Sequence, residues 1–211
     1  MKTENVVLMK HARESLSGKW PLAIGTFVVY YLINGCVQSI PFAGIVGSLL
    51  IGGPMLVGVA VFSLSLSRNT YPRFEQIFDG FKKFDVALGA YLLTFIFVLL
   101  WSLLLIIPGI IAALSYSMTF FILADNDSIG AMEAIDQSKA MMDGYKWKLF
   151  YLGLRFLGLA LLCILTLGIG FLWLIPYIQV TMAKFYDDLK GVPVMDENYD
   201  GHLGEFEVKQ L

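Results

Sequence analysis

Arg155 is the one charged residue inside a long apolar run of this 211-residue sequence, and that isolation limits the chemistry the chain can perform. The seventeen Asp and Glu residues lie in polar segments or, like Asp85, Asp125 and Asp187, at the ends of apolar runs. His11 and His202 lie in polar segments too. An intramembrane acid–base pair, metal centre or proton relay needs ionisable groups at depth, and here a single guanidinium is available. Nucleophile and phosphate motifs are missing as well: there is no Gly-x-Ser-x-Gly, no Walker loop and no His-Glu-x-x-His. Cys36 and Cys163 sit far apart in apolar runs and read as reduced thiols packed like small hydrophobes. The expectation is a protein that is not an enzyme and uses no cofactor or metal.

Arg155 follows Lys148 by seven residues, about 10 Å along a straight helix. Two readings are open. The side chain can snorkel back to the headgroups, or it can face the helix bundle and bind an anionic headgroup or helix-end carbonyls. Prolines supply a second set of candidates. Gly52-Gly53-Pro54 and Pro176 fall inside apolar runs, where proline removes a helical hydrogen bond and frees carbonyls that must find partners. Ser48, Ser63, Tyr116, Ser117 and Tyr177 are candidate partners. A kinked packing helix and a broken helix lining a midplane site both fit this pattern. Gly44, Ser48 and Gly52 form a small-residue stripe suited to helix packing.

The elements that carry these residues must be membrane helices. Hydrophobic residues make up 57% and charged residues 15%, against about 25% charged in an average globular domain, and the mean hydropathy is +0.71. A soluble core of this size cannot hide so much apolar surface. A spanning helix needs about twenty apolar residues. Pro21–Ile40 is one such run, and Ile45–Ser67 follows after Pro41 and Gly44. Val86–Ala124 holds 39 uncharged residues, enough for two helices, with Pro108-Gly109 as the expected turn. Leu149–Ala183 holds two more, turning at Gly168-Ile169-Gly170. The expected fold class is all-α, a polytopic membrane protein of six transmembrane helices arranged as three helical hairpins.

The turns near 41–44, 108–109 and 168–170 carry no charge, whereas fourteen of the fifteen Lys and Arg residues lie in the other connections and the ends. Short loops rich in Lys and Arg stay in the cytoplasm. The expected protein therefore sits in the plasma membrane with both termini cytoplasmic. The polar first nineteen residues do not resemble a cleavable signal peptide.

Each expected hairpin is preceded by a similar stretch. Leu16–Trp20, Phe78–Phe84 and Met142–Trp147 each hold a glycine followed by lysine and an aromatic residue, with the glycines 62 and 64 residues apart. That period suggests three repeats, about 3–67, 71–125 and 128–190, in one transmembrane domain spanning 1–190. Each glycine reads as the left-handed stop of a short interfacial amphipathic helix. Thr3 is the expected cap of the first and Asp127 or Ser128 that of the third, while Pro72 suits the first helical position of the second. Lys19, Lys82 and Lys146, each near an aromatic residue, read as headgroup anchors and as candidate ligand-binding residues alongside Arg155, Tyr116 and Tyr177. Pro54, Pro108 and Pro176 are the expected structural breaks. Residues 191–211, with Asp196, Glu197, Asp200, Glu205 and Glu207, read as a flexible acidic cytoplasmic tail.

Several motifs carry a family resemblance. Leu103–Ile111, Ser115–Met118, Ile122–Asp125, Ser138–Phe150, Leu165–Gly170, Pro176-Tyr177 and Phe185-Tyr186, with Ala12–Glu14 and Leu16–Trp20, resemble a family of uncharacterised bacterial integral membrane proteins, a domain of unknown function. The resemblance covers the chain up to about residue 190. It is distantly similar as well to the membrane domain fused to some glycerophosphodiester phosphodiesterases, whose catalytic domain has no counterpart here. The resemblance implies a role in lipid or envelope physiology and carries over no functional residue. Two functions follow as expectations: a non-enzymatic module binding membrane lipids or a membrane-protein partner, and a transporter or channel for a lipid-like or small amphipathic solute. Nothing in the charge pattern suggests a nucleic-acid partner, and the oligomeric state is not encoded in any motif.

Overall fold

The computed structural model describes residues 3–40 and 43–192, and among them every regular element is helical. The order is α1 (Asn5–Leu16), α2 (Trp20–Gln38), α3 (Ala43–Ser67), a 3-10 helix (Phe74–Lys83), α4 (Phe84–Leu104), α5 (Ile106–Ser115), α6 (Thr119–Asp125), α7 (Ala131–Met141), α8 (Lys146–Leu165) and α9 (Phe171–Lys190). Pro41 and the acidic tail from Pro193 onward lie outside the described residues.

Among the described residues, five helical stretches are long and apolar enough to cross a membrane: Trp20–Gln38, Val46–Ser67, Phe74–Leu104, Ile106–Asp125 and Lys146–Leu165. The protein is therefore membrane-embedded. α9 differs because Lys184, Asp187, Asp188 and Lys190 occupy its last two turns. Its uncharged part, Phe171–Ala183, extends about 20 Å at 1.5 Å per residue, against about 30 Å of hydrocarbon.

Burial divides the molecule into two zones. The second half of α3 is its axis: Met55, Val57, Val59, Ala60, Phe62, Leu64 and Leu66 are all buried, wrapped by α1, α6, α9 and the 3-10 helix. The opposite zone is apolar and bare. Leu103, Leu104, Leu105, Ile106 and Ile107 at the α4–α5 turn are 65–83% exposed, and Leu165 and Leu167 beside the α8–α9 turn are 79% and 95% exposed. Such a band is stable only against lipid.

The short amphipathic segments bury one face each. Leu8, Ala12 and Leu16 of α1 are fully buried, as are Ala134 and Ser138 of α7. Gly18 and Gly144 take positive φ, 74° and 76°, and end α1 and α7 in the left-handed region. Gly80 does not. It stays within the 3-10 helix, where a Cβ would lie 1.9 Å from the Pro54 carbonyl oxygen, so this glycine serves close approach and not chain reversal.

The expected caps also differ. α1 begins after Glu4 and α7 after Gly130, with no side-chain cap at either, and Thr3 hydrogen-bonds elsewhere. The 3-10 helix begins after Arg73, whose N–H donates to Gln76 Oε1 at 3.1 Å, two residues later than a start at Pro72 would give. The α4–α5 turn falls at Leu105, three residues before Pro108. Pro108 then occupies the first turn of α5, where its missing N–H would have had no helical partner. Gly109 allows the tight return, since a Cβ there would meet Ser102 Oγ at 2.1 Å.

One break was not expected. The run Ile106–Asp125 is interrupted at Tyr116–Met118, between α5 and α6. Ser138 of α7 fills the gap: its hydroxyl donates to the Ser115 carbonyl at 2.8 Å and accepts from the Met118 N–H at 3.1 Å. Both freed peptide groups are thereby satisfied away from water.

Contacts this close make one substitution informative. A Cβ on Gly58 would lie 1.9 Å from the Ile77 carbonyl oxygen, main chain that cannot rotate aside. Gly58→Ala should lower the unfolding free energy by about 1–3 kcal/mol, measured by denaturant titration in detergent micelles. Gly35→Ala, with nothing within 4 Å, should leave it unchanged or raised.

Candidate functional site

Each long uncharged run ends in an ionisable residue, and the fold brings these ends to one level. α3 exits at Arg68, α6 ends at Asp125, α8 begins beside Lys148, and α9 closes with Lys184, Asp187, Asp188 and Lys190. Their side chains form a network that joins these helices. Arg68 donates from Nε and Nη2 to Asp187 Oδ1 at 3.1 and 2.7 Å, and from Nη1 to Asp125. Ser67 Oγ donates to the other Asp187 oxygen at 3.1 Å. Asp125 also accepts from Lys190 and, at 3.2 Å, from the Tyr186 hydroxyl.

A second set of bonds fastens α1. Asp188 accepts from the Thr3 N–H and hydroxyl at 3.0 and 2.7 Å and from Lys148 Nζ at 2.8 Å. Asn5 Nδ2 donates to the Lys148 carbonyl at 2.8 Å. Lys184 is 9% exposed and donates to the Ser67 carbonyl, which also accepts from Ser15 Oγ. Lys83 closes α6 from the side, donating to the carbonyls of Leu123 and Asn126 at 2.9 Å.

Burial works against the charge on Arg68, but hydrogen bonds to Asp125 and Asp187 more than offset it and raise its pKa. The guanidinium stays protonated and its partners stay matched. Carboxylates so fully engaged by cations are poor general bases, so the network's chemistry is fastening. Sequence reasoning noted Asp125 and Asp187 only as span ends; nothing in their spacing signals that they meet through Arg68.

The residues singled out from the sequence are dispersed. Lys19 donates to Asn69 Oδ1 at 2.9 Å, and Lys82 pairs with Asp79 at 2.7 Å on the surface. Lys146 begins α8 beside Trp147, which packs edge-on against Phe150. Arg155 is exposed on α8, between the exposed Leu154 and the buried Phe156. Tyr116 lies at the α5–α6 break, its ring 6.0 Å from that of Phe97. Pro54 and Pro176 are buried, and α3 and α9 run through them uninterrupted.

Tyr177 lines a cavity. Its hydroxyl donates to the Met9 carbonyl at 3.2 Å and its ring stands edge-on to Phe156 at 5.7 Å. The cavity is a cleft of about 620 Å³ bounded by α1, α2, α8 and α9. Trp20 and Arg13 line it together with Leu159, Leu162 and Cys163, and Thr166 and Gly170 lie at the far turn.

Residues 103–192 match the family model described as Protein of unknown function (DUF975). The matched stretch begins at the α4–α5 turn and takes in α5 to α9, including Ser138, Asp125 and the charged end of α9. It leaves out Arg68 and the cleft residues of α1 and α2. No curated protein and no solved structure matches the chain.

Removing Arg68 would leave Asp187 without its main partner. Loss of one member of a buried pair costs about 3–5 kcal/mol; with the Arg68 side chain 31% exposed, Arg68→Met should cost about 2 kcal/mol of unfolding free energy in micelles. Arg68→Met combined with Asp187→Leu should cost less than Arg68→Met alone. Arg155→Leu should shift it by no more than about 0.5 kcal/mol.

Proposed function

We propose that the chain is a non-enzymatic plasma-membrane protein that binds membrane lipid and serves cell-envelope physiology. In this reading α9 is a sixth crossing and the helices form three hairpins entering from the cytoplasmic side, with both termini inside. The observation that carries it is the polarity of the molecule along its helices. The charged network, the lysine anchors and the amphipathic segments lie at one end, and bare apolar turns lie at the other. Lys19, Lys82 and Lys146 then meet lipid phosphates, and the exposed Phe78, Phe81 and Phe84 sit at headgroup depth. α9 becomes a spanning helix because its charged last turns remain inside the network at the headgroup layer, neutralised by Arg68 and Lys148.

The three helix–glycine–lysine–aromatic stretches are consistent with a threefold internal repeat, supported by the left-handed Gly18 and Gly144. The resemblance to the membrane domain of glycerophosphodiester phosphodiesterases lends the envelope role its context. A transporter would draw on the α5–α6 break, but Ser138 satisfies both sides of that break. The large cleft opens sideways between helices and is lined chiefly by apolar groups. Both features favour lipid binding over solute passage.

Native mass spectrometry of the full chain extracted from its membrane in a mild detergent should show phospholipid molecules retained on the protein. A spectrum of bare protein, under conditions that keep it folded, would overturn the reading.

A further inference from the structure

Resting on the lipid-binding reading, the geometry points to the cleft between α2 and α8 as the seat of one anionic phospholipid of the cytoplasmic leaflet, its phosphate at Arg13 and one acyl chain along the floor made by α9. The argument starts from charge. The network engages Lys148 and Lys190 with carboxylates and Lys184 with the Ser67 carbonyl, whereas Arg13 on α1, the cation that lines this cleft, is exposed and pairs with no carboxylate among the described residues. It lines the same cleft as Trp20, the first residue of α2, so a cation and an indole belong to one cleft where α2 enters the apolar zone. That pairing suits a lipid phosphate and glycerol backbone.

The rest of the cleft suits a hydrocarbon chain. From Tyr177 it follows α9 to Gly170, seven residues away, and along α8 from Leu159 to Thr166, about 10 Å of helix in each case. The Tyr177 hydroxyl is already engaged with the Met9 carbonyl and the Thr166 hydroxyl with the Cys163 carbonyl, so neither opposes an alkyl chain. A volume of about 620 Å³ falls within the roughly 300–1,000 Å³ of small-molecule sites. α8 is loosely held, with Leu157, Leu161 and Leu162 all more than half exposed, so the cleft communicates with the bilayer along its length. A lipid can enter sideways without crossing water.

The test uses the full chain in phosphatidylcholine vesicles containing a minority of phosphatidylglycerol, followed by gentle extraction and native mass spectrometry. The wild type should retain phosphatidylglycerol enriched about fivefold over its share, the effect of one basic residue near an anionic surface. Arg13→Gln should bring the enrichment to parity and Arg13→Lys should keep it. Leu162→Trp, which fills the cleft, should lower retention of both lipids. In a Cys36→Ala background, Cys163 in the cleft should react with a maleimide more slowly in the mixed vesicles than in pure phosphatidylcholine, and Arg13→Gln should remove that difference.

Enrichment that survives Arg13→Gln but is lost in Lys82→Gln or Lys146→Gln would overturn this site and leave lipid binding standing. So would equal Cys163 reactivity in both vesicles. A wild type that retains neither lipid would overturn the lipid-binding reading itself.

Discussion

Hydrocarbon accepts neither a bare charge nor an unpaired peptide group, and this pair of prohibitions organises the molecule. With every ionisable residue but Arg155 kept to the polar segments and the ends of uncharged runs, the helices bring their charges to a common level, and there they must be matched. Arg68 is the hinge of that match, bridging the end of α6 through Asp125 and the end of α9 through Asp187. Lys190 and Lys148 extend it, and Asp188 ties down the start of α1 through Thr3. An isolated surface ion pair contributes little. A network that is partly buried and shared among helix ends holds their register.

Beneath the network, backbone contact replaces hydrophobic force. Helices in lipid gain little from burying apolar surface, so close packing carries more of the association. Gly53, Gly58 and Gly80 let α4 and the 3-10 helix approach α3 to distances that a Cβ would prohibit. The peptide prohibition appears in its other form at Tyr116–Met118, where an interrupted helix borrows the Ser138 hydroxyl from α7. Two short segments that look like surface helices are thus built into the bundle, α7 by this hydroxyl and α1 by its bonds to Asp188 and the Lys148 carbonyl.

Uncharged run length and glycine position were readable from the sequence, because both act locally. The apolar runs mark the helices, and Gly18 and Gly144 end α1 and α7 where the pattern of glycine, lysine and aromatic residue places them. Capping was misread. Thr3 has the right chemistry for a cap, but Asp188, 185 residues away, takes its hydroxyl. Pro108 signals the α4–α5 turn without fixing it, since proline is also at home in the first turn of a helix. The network and the cleft could not be read at all. Asp125, Arg68 and Asp187 are unremarkable separately, and Arg13 gains interest only beside Trp20 and the floor of α9. Arg155, the most conspicuous residue of the sequence, turns out to lie exposed on α8.

The proposed arrangement depends on all the uncharged turns sharing one side and all the charged connections sharing the other. Cysteine accessibility in intact cells measures this directly. In a chain lacking Cys36 and Cys163, single cysteines replacing Leu105 and Leu167 should react with a membrane-impermeant maleimide from outside. Cysteines replacing Asn69 and Asp127 should react only after the membrane is opened. External labelling at residue 69 or 127, or residue 105 and residue 167 labelling from opposite sides, would contradict the arrangement.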